Sequence, residues 1–103
     1  MIRHVFLWKL TEDADPAYVL DLLNQLPENI PGCRSWTIGK HQGEEGLSGG
    51  VWQYGLVADY DSMTDLEAYS NHPFHIDVVN RLLPFFKERA VCDFELPQMG
   101  AGR

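Results

Sequence analysis

Positive charge is what this chain has least of: 8 Lys and Arg stand against 15 Asp and Glu, a formal net charge of -7 over 103 residues. Affinity for a phosphate backbone rests on Lys and Arg, so neither RNA nor DNA is an expected partner. Long apolar runs are missing too. The opening MIRHVFLWKL is interrupted by His4 and Lys9 and is followed by no small-residue cleavage site, which argues against a secretory leader. Nothing approaches the ~20 apolar residues of a membrane span, and the expected location is the cytoplasm. Cysteine is scarce. Cys33 and Cys92 lie too far apart for a CxxC zinc or redox site, so two buried, reduced thiols are expected.

What is present is ordinary for a folded protein. Hydrophobic residues make up 45% and charged residues 22%, and proline and glycine are too few to suggest disorder. The length allows one domain with one core, near the size at which a partner subunit adds useful burial.

Alternation over Ile2 to Leu10 predicts a strand with two usable faces: Ile2, His4, Phe6, Trp8 and Leu10 against Arg3, Val5, Leu7 and Lys9. Asp15-Pro16 is a helix start, an acid able to cap free amides followed by a proline at the first helical position. Val19, Leu22, Leu23 and Leu26 then form one apolar stripe, ended by PENIPG. A second strand is predicted over Cys33 to Lys40, with Trp36 and Ile38 on one face and Gly39 allowing a bulge or a close backbone approach. HQGEEGLSGG reads as a mobile hairpin connection. Val51 to Tyr60 is the third strand, with Trp52, Tyr54, Leu56, Ala58 and Tyr60 on one side.

The segment DSMTDLEAYSNHPFHIDVV, Asp61 to Val79, carries the most signals. Ser62 with Asp65 is a loose capping box. The helix it opens is interrupted at His72-Pro73, because the residue before a proline is pushed out of the helical region. A second helical piece from about Phe74 presents Val78, Val79, Leu82, Leu83 and Phe86, with Pro84 implying a kink or an early end. Arg89 to Leu96 is the fourth strand. The folded domain is expected over residues 1–97, leaving 98–103 as a loosely held tail.

Strand, helix, strand, strand, helix, strand is the ferredoxin-like βαββαβ order, an α+β fold in which helices cover one face of a four-stranded antiparallel sheet. The other face is left bare, and the expectation is that it carries His4, Phe6, Trp8, Trp36 and the aromatic side of the third strand. That is more apolar surface than a monomer exposes, so a sheet-on-sheet homodimer is expected.

Three stretches, IRHVFLWKL, YDSMTDLEAYSNHPFH and CDFEL, resemble the stress-responsive A/B barrel (Dabb) family of the dimeric α/β barrel superfamily. The Tyr-x-x-His-Pro-x-His run is the most specific of them, and the resemblance spans Ile2 to about Leu96. It implies a dimer whose two sheets face each other to form a barrel, with an apolar cavity between each sheet and its helices or at the barrel's mouth. In a metal-free polyketide cyclase of this family, the catalytic tyrosine and histidine match Tyr69 and His75, a strand-one histidine matches His4, and a further histidine matches His72. Beyond His75 the chain departs from that cyclase, with Ile76, Asp77 and Val78.

Proton abstraction beside a carbonyl needs a base of near-neutral pKa and a donor for the enolate oxygen. Histidine, at about 6.5, suits the first task and a tyrosine hydroxyl the second. The expected roles are His75 as base, Tyr69 as donor and His4 as a second polar contact. Phe6, Trp8 and Leu56 would line the apolar wall, with His72, Val78 and Val91 as further contacts. A competing role for His72 is to cap the turn at Pro73. His4, His72, His75 and Asp77 offer metal-ligating atoms at no known metal-helix spacing, so no metal or other cofactor is expected. Two function classes follow: a cofactor-free cyclase, isomerase or lyase acting on a small apolar carbonyl compound, and a non-catalytic dimeric module that binds a small apolar ligand or serves a structural role under stress.

Overall fold

Ile2–Leu10 forms strand β1 at the centre of the molecule, because it pairs on both sides. The computed structural model describes residues 1–44 and 50–97, so the expected tail 98–103 and half of the glycine-rich connection lie outside the described residues. β2 is Cys33–Lys40, β3 is Tyr54–Tyr60 and β4 is Phe86–Glu95. They form one sheet in the order β2-β3-β1-β4, and every pairing is antiparallel. Helices α1 (Pro16–Asn24), α2 (Leu26–Asn29), α3 (Met63–Ser70) and α4 (Pro73–Leu82) complete the ferredoxin-like α+β fold. Among the described residues no helix is long and apolar enough to cross a membrane.

Local chemistry sets the boundaries. The Asp15 side chain accepts from the Ala17 N–H at 3.0 Å, and Pro16 opens α1. The apolar stripe continues past the end of α1 onto Leu26, which belongs to the separate turn α2 rather than to α1. Pro27 sits in the first turn of α2, where no N–H is required of it, so it does not stop the chain from coiling. The stop comes at Ile30, extended at φ -124° and ψ 120° ahead of Pro31, and Gly32 then turns the chain with a φ of 105° in the left-handed region.

The third strand starts at Tyr54 rather than at Val51, and Trp52 instead sits beneath the Lys9 ammonium, 5.0 Å from it. The register irregularity of β2 falls between Cys33 and Ser35, not at Gly39. Gly39 pairs with Gly55, and a Cβ added to Gly55 would stand 3.3 Å from Leu7 Cδ2. Pro84 ends α4 early: a 3-10 turn over Leu83–Phe85 leads directly into β4, three residues ahead of the expected start. Leu83 is therefore exposed and Phe86 belongs to the sheet.

The largest departure concerns the faces of the sheet. Trp8, Leu56, Ala58 and Tyr60 are almost wholly buried with Val19, Leu26, Val78 and Leu82 of the helices. The side carrying His4, Phe6, Trp8 and Trp36 thus faces the helices, and the bare side carries Arg3, Val5, Leu7, Ser35, Thr37, Val57, Asp59, Ala90, Cys92 and Phe94. Both sides of β1 are apolar enough to want cover, so alternation alone does not choose between them. Volume does, since the wide rings fill the gap beneath two layers of different shape. Cys92, on the bare side, is exposed, and Cys33 is half-buried, so the expectation of two buried thiols is replaced.

Candidate functional site

The helix-covered face does not close completely. Between it and α1 to α4 lies a cavity of about 240 Å³, into which His4 and Phe6 of β1, Leu56 of β3, Tyr69 of α3, His75 of α4, and Arg89, Val91 and Asp93 of β4 all project. Leu23, Leu26, Val79, Leu82 and Phe86 supply the rest of its apolar wall.

Pro73 is the device that brings its polar groups together. His72 adopts an extended conformation, φ -64° and ψ 136°, and its Nδ1 accepts from the Phe74 N–H at 3.0 Å, capping α4. The chain thereby turns between α3 and α4, and the Tyr69 and His75 rings meet with centroids 4.6 Å apart. Tyr69 also stands edge-on to His4 at 6.4 Å. Of the residues singled out in the sequence, His4, Phe6, Leu56, Tyr69, His75 and Val91 line the cavity. Trp8, Val78 and His72 do not: the first two are packed in the core, and His72 is the cap. Asp77 pairs with Arg81 one turn along α4 at 3.2 Å. Among the described residues no group of three or more His, Cys, Asp or Glu side chains is placed to hold a metal ion.

His75 Nδ1 lies 2.9 Å from the Ser70 carbonyl oxygen. A carbonyl only accepts, so Nδ1 carries the proton and Nε2 keeps its lone pair in the neutral ring. Burial pushes the His75 pKa below the ordinary imidazole value, the Ser70 carbonyl opposes this, and the nearby His4 and His72 add to the lowering. Tyr69 is only 3% exposed. Burial first, then the neighbouring Cys33, raises its pKa, so its hydroxyl stays protonated and able to donate. Tyr60, 5.2 Å away between ring centroids, is raised in the same way, chiefly by burial, and its buried hydroxyl has no hydrogen-bond partner of good geometry among the described residues.

Asp93 is the residue sequence reasoning missed. It faces His4 across the β1–β4 pair, and its Oδ1 lies 2.5 Å from His4 Nδ1. The carboxylate accepts, which directs the other ring nitrogen, Nε2, to act as an acceptor while the ring is neutral. Asp93 lies on the face opposite Cys92, and which residue of β1 it meets depends on register. Arg89 was likewise read only as the start of a strand.

A four-stranded antiparallel sheet with helices on one side and a histidine–tyrosine cavity beneath them defines a ferredoxin-like α+β protein. The chain belongs to the Stress responsive A/B Barrel Domain (Dabb) family, whose model matches residues 2–96. Similar solved structures agree on the fold. A dimeric ferredoxin-like protein of unknown function from Thermobifida fusca is 28% identical, with a TM-score of 0.76 over 92% of this chain and 90% of that one. A protein from Arabidopsis thaliana is 19% identical, with a TM-score of 0.84 over 97% and 99% of the two chains. A hydroxynitrile lyase from Passiflora edulis is 13% identical, with a TM-score of 0.84 over 95% and 94%. No curated protein matches the sequence.

Proposed function

We propose that this protein is a homodimeric, cofactor-free enzyme that moves a proton at the carbon next to a carbonyl, as a cyclase, isomerase or lyase of a small, largely apolar compound. The observation that carries the reading is that the His75 and Tyr69 rings stand with centroids 4.6 Å apart in one largely apolar cavity, with His75 Nδ1 turned to the Ser70 carbonyl. His75 Nε2 takes the proton from the α-carbon, the electron pair of the broken C–H bond moves into the carbonyl, and Tyr69 donates a hydrogen bond to the resulting oxyanion. His4, held by Asp93, is the second polar contact on the substrate. The enolate then attacks a second carbonyl, recovers a proton elsewhere, or expels a leaving group.

The dimer is supported by the half-buried Val5, Leu7 and Val57 of the bare sheet face and by the dimeric relative from Thermobifida fusca. A cytoplasmic location accords with two free thiols.

Exchange of the α-hydrogens of 2-octanone in deuterium oxide, followed by proton NMR, tests the reading. The protein should accelerate exchange over buffer, and His75→Gln should remove about 10²–10⁴ of that acceleration. Tyr69→Phe should lower it strongly, and His72→Ala far less. Binding of 2-octanone with no accelerated exchange would instead support the non-catalytic ligand-binding module.

A further inference from the structure

Three of the four arginines among the described residues are held by carboxylates. Arg3 pairs with Asp59, Arg34 with Asp61 and Arg81 with Asp77. Arg89 is the exception: its side chain makes no ion pair or hydrogen bond among the described residues, and it lines the cavity. In a chain of net charge -7 this is not for want of acids. Its sequence neighbour Glu88 lies on the other side of β4 and holds Lys9 at 2.8 Å. Asp93, on the same side as Arg89, is taken by His4.

Arg89 and Asp93 are four residues apart on one face of a strand, which separates their backbones by about 13 Å. Between them stands Val91, with Phe6 beside it across the β1–β4 pair. The wall of the cavity thus runs from a cation, along a hydrocarbon surface, to the His4–Asp93 pair next to Tyr69 and His75. A guanidinium suits a carboxylate because it offers parallel N–H donors in one plane.

We propose that Arg89 receives an anionic carboxylate on the ligand, so that the compounds this cavity takes are oxo-carboxylates of middle length, with the acid at Arg89 and the carbonyl at the His75 end. The inference rests on the reading of the cavity as a small-molecule site and narrows the class of molecule.

Octanoate and octanamide, alike in chain and differing in charge, test it by calorimetric titration. The protein should bind octanoate about tenfold more tightly than octanamide, a preference that weakens with added salt. Arg89→Gln should equalise the two while keeping the octanamide affinity, which also reports that the variant is folded, and Arg89→Lys should retain part of the preference. Equal affinities in the unaltered protein, or an undiminished preference in Arg89→Gln, would overturn the assignment of Arg89 and leave the cavity reading standing. Failure of both probes to bind would overturn the two together.

Discussion

The sheet has two faces built from the same strands, and they differ in how they are filled. The covered face stacks wide rings, Phe6 on Trp8 at 5.1 Å and Trp8 on Tyr54 at 5.5 Å, and closes over them with helices. The bare face is shallow. It sets Arg3, Asp59 and Ser35 in one hydrogen-bonded group, with the Arg3 Nε–Asp59 Oδ1 and Ser35 Oγ–Asp59 Oδ2 distances both 2.9 Å, beside Val5, Leu7 and Val57. Rings that cannot fill the space between a sheet and four helices completely leave a cavity, and the polar groups of the site occupy its edge. The bare face instead carries a broad, open depression over Leu7, Thr37, Gly39, Gly55 and Val57, a shape that suits a second sheet laid against it.

That contrast can be broken by substitution. Trp8→Ala, at a fully buried position, should cost about 3–5 kcal/mol in urea denaturation. Val5→Ala on the bare face should cost far less when the protein is dilute, and equal costs would erase the distinction. Leu7→Asp should weaken dimerisation by at least about tenfold in sedimentation experiments, because it brings an unpaired charge into an apolar contact. An unchanged dimer would remove the bare face from the interface. His72→Ala should cost about 1 kcal/mol through the lost cap of α4.

The smallest effect is a linkage. The His75 pKa is lower in the folded chain than in the unfolded one, so the unfolded state takes up a proton first as pH falls. Stability is therefore fully present above about 6.5 and declines as pH falls from there through the folded value. His75→Gln should remove this part of the slope in thermal melts. Asp59, lowered chiefly by its hydrogen bond from Arg3, and Asp61, lowered chiefly by Arg34, contribute in a separate window, with stability lost as pH falls below the ordinary carboxylate range.

Much of this was legible in the sequence, for identifiable reasons. Strand and helix order followed from alternation and from punctuation by Asp15-Pro16, Ser62 and His72-Pro73, which act locally. The turn that brings Tyr69 to His75 followed from Pro73 by the same local rule. What was not legible depends on the third dimension. The choice of covered face rests on ring volume, and the partnership of His4 with Asp93 rests on a register 89 residues apart in the chain. That the Arg89 side chain has no partner among the described residues becomes visible only when Glu88 and Asp93 are seen to be taken.

The proposed chemistry requires His75 to stand unprotonated at neutral pH with its Nε2 lone pair available to a ligand in the cavity. Nitrogen-15 NMR of the labelled imidazole across pH reads this directly. An Nδ1–H tautomer, a midpoint below 6.5, and an Nε2 resonance that moves when 2-octanone is added are expected. An Nε2–H tautomer, a midpoint at or above 6.5, or a resonance indifferent to the ketone would contradict it.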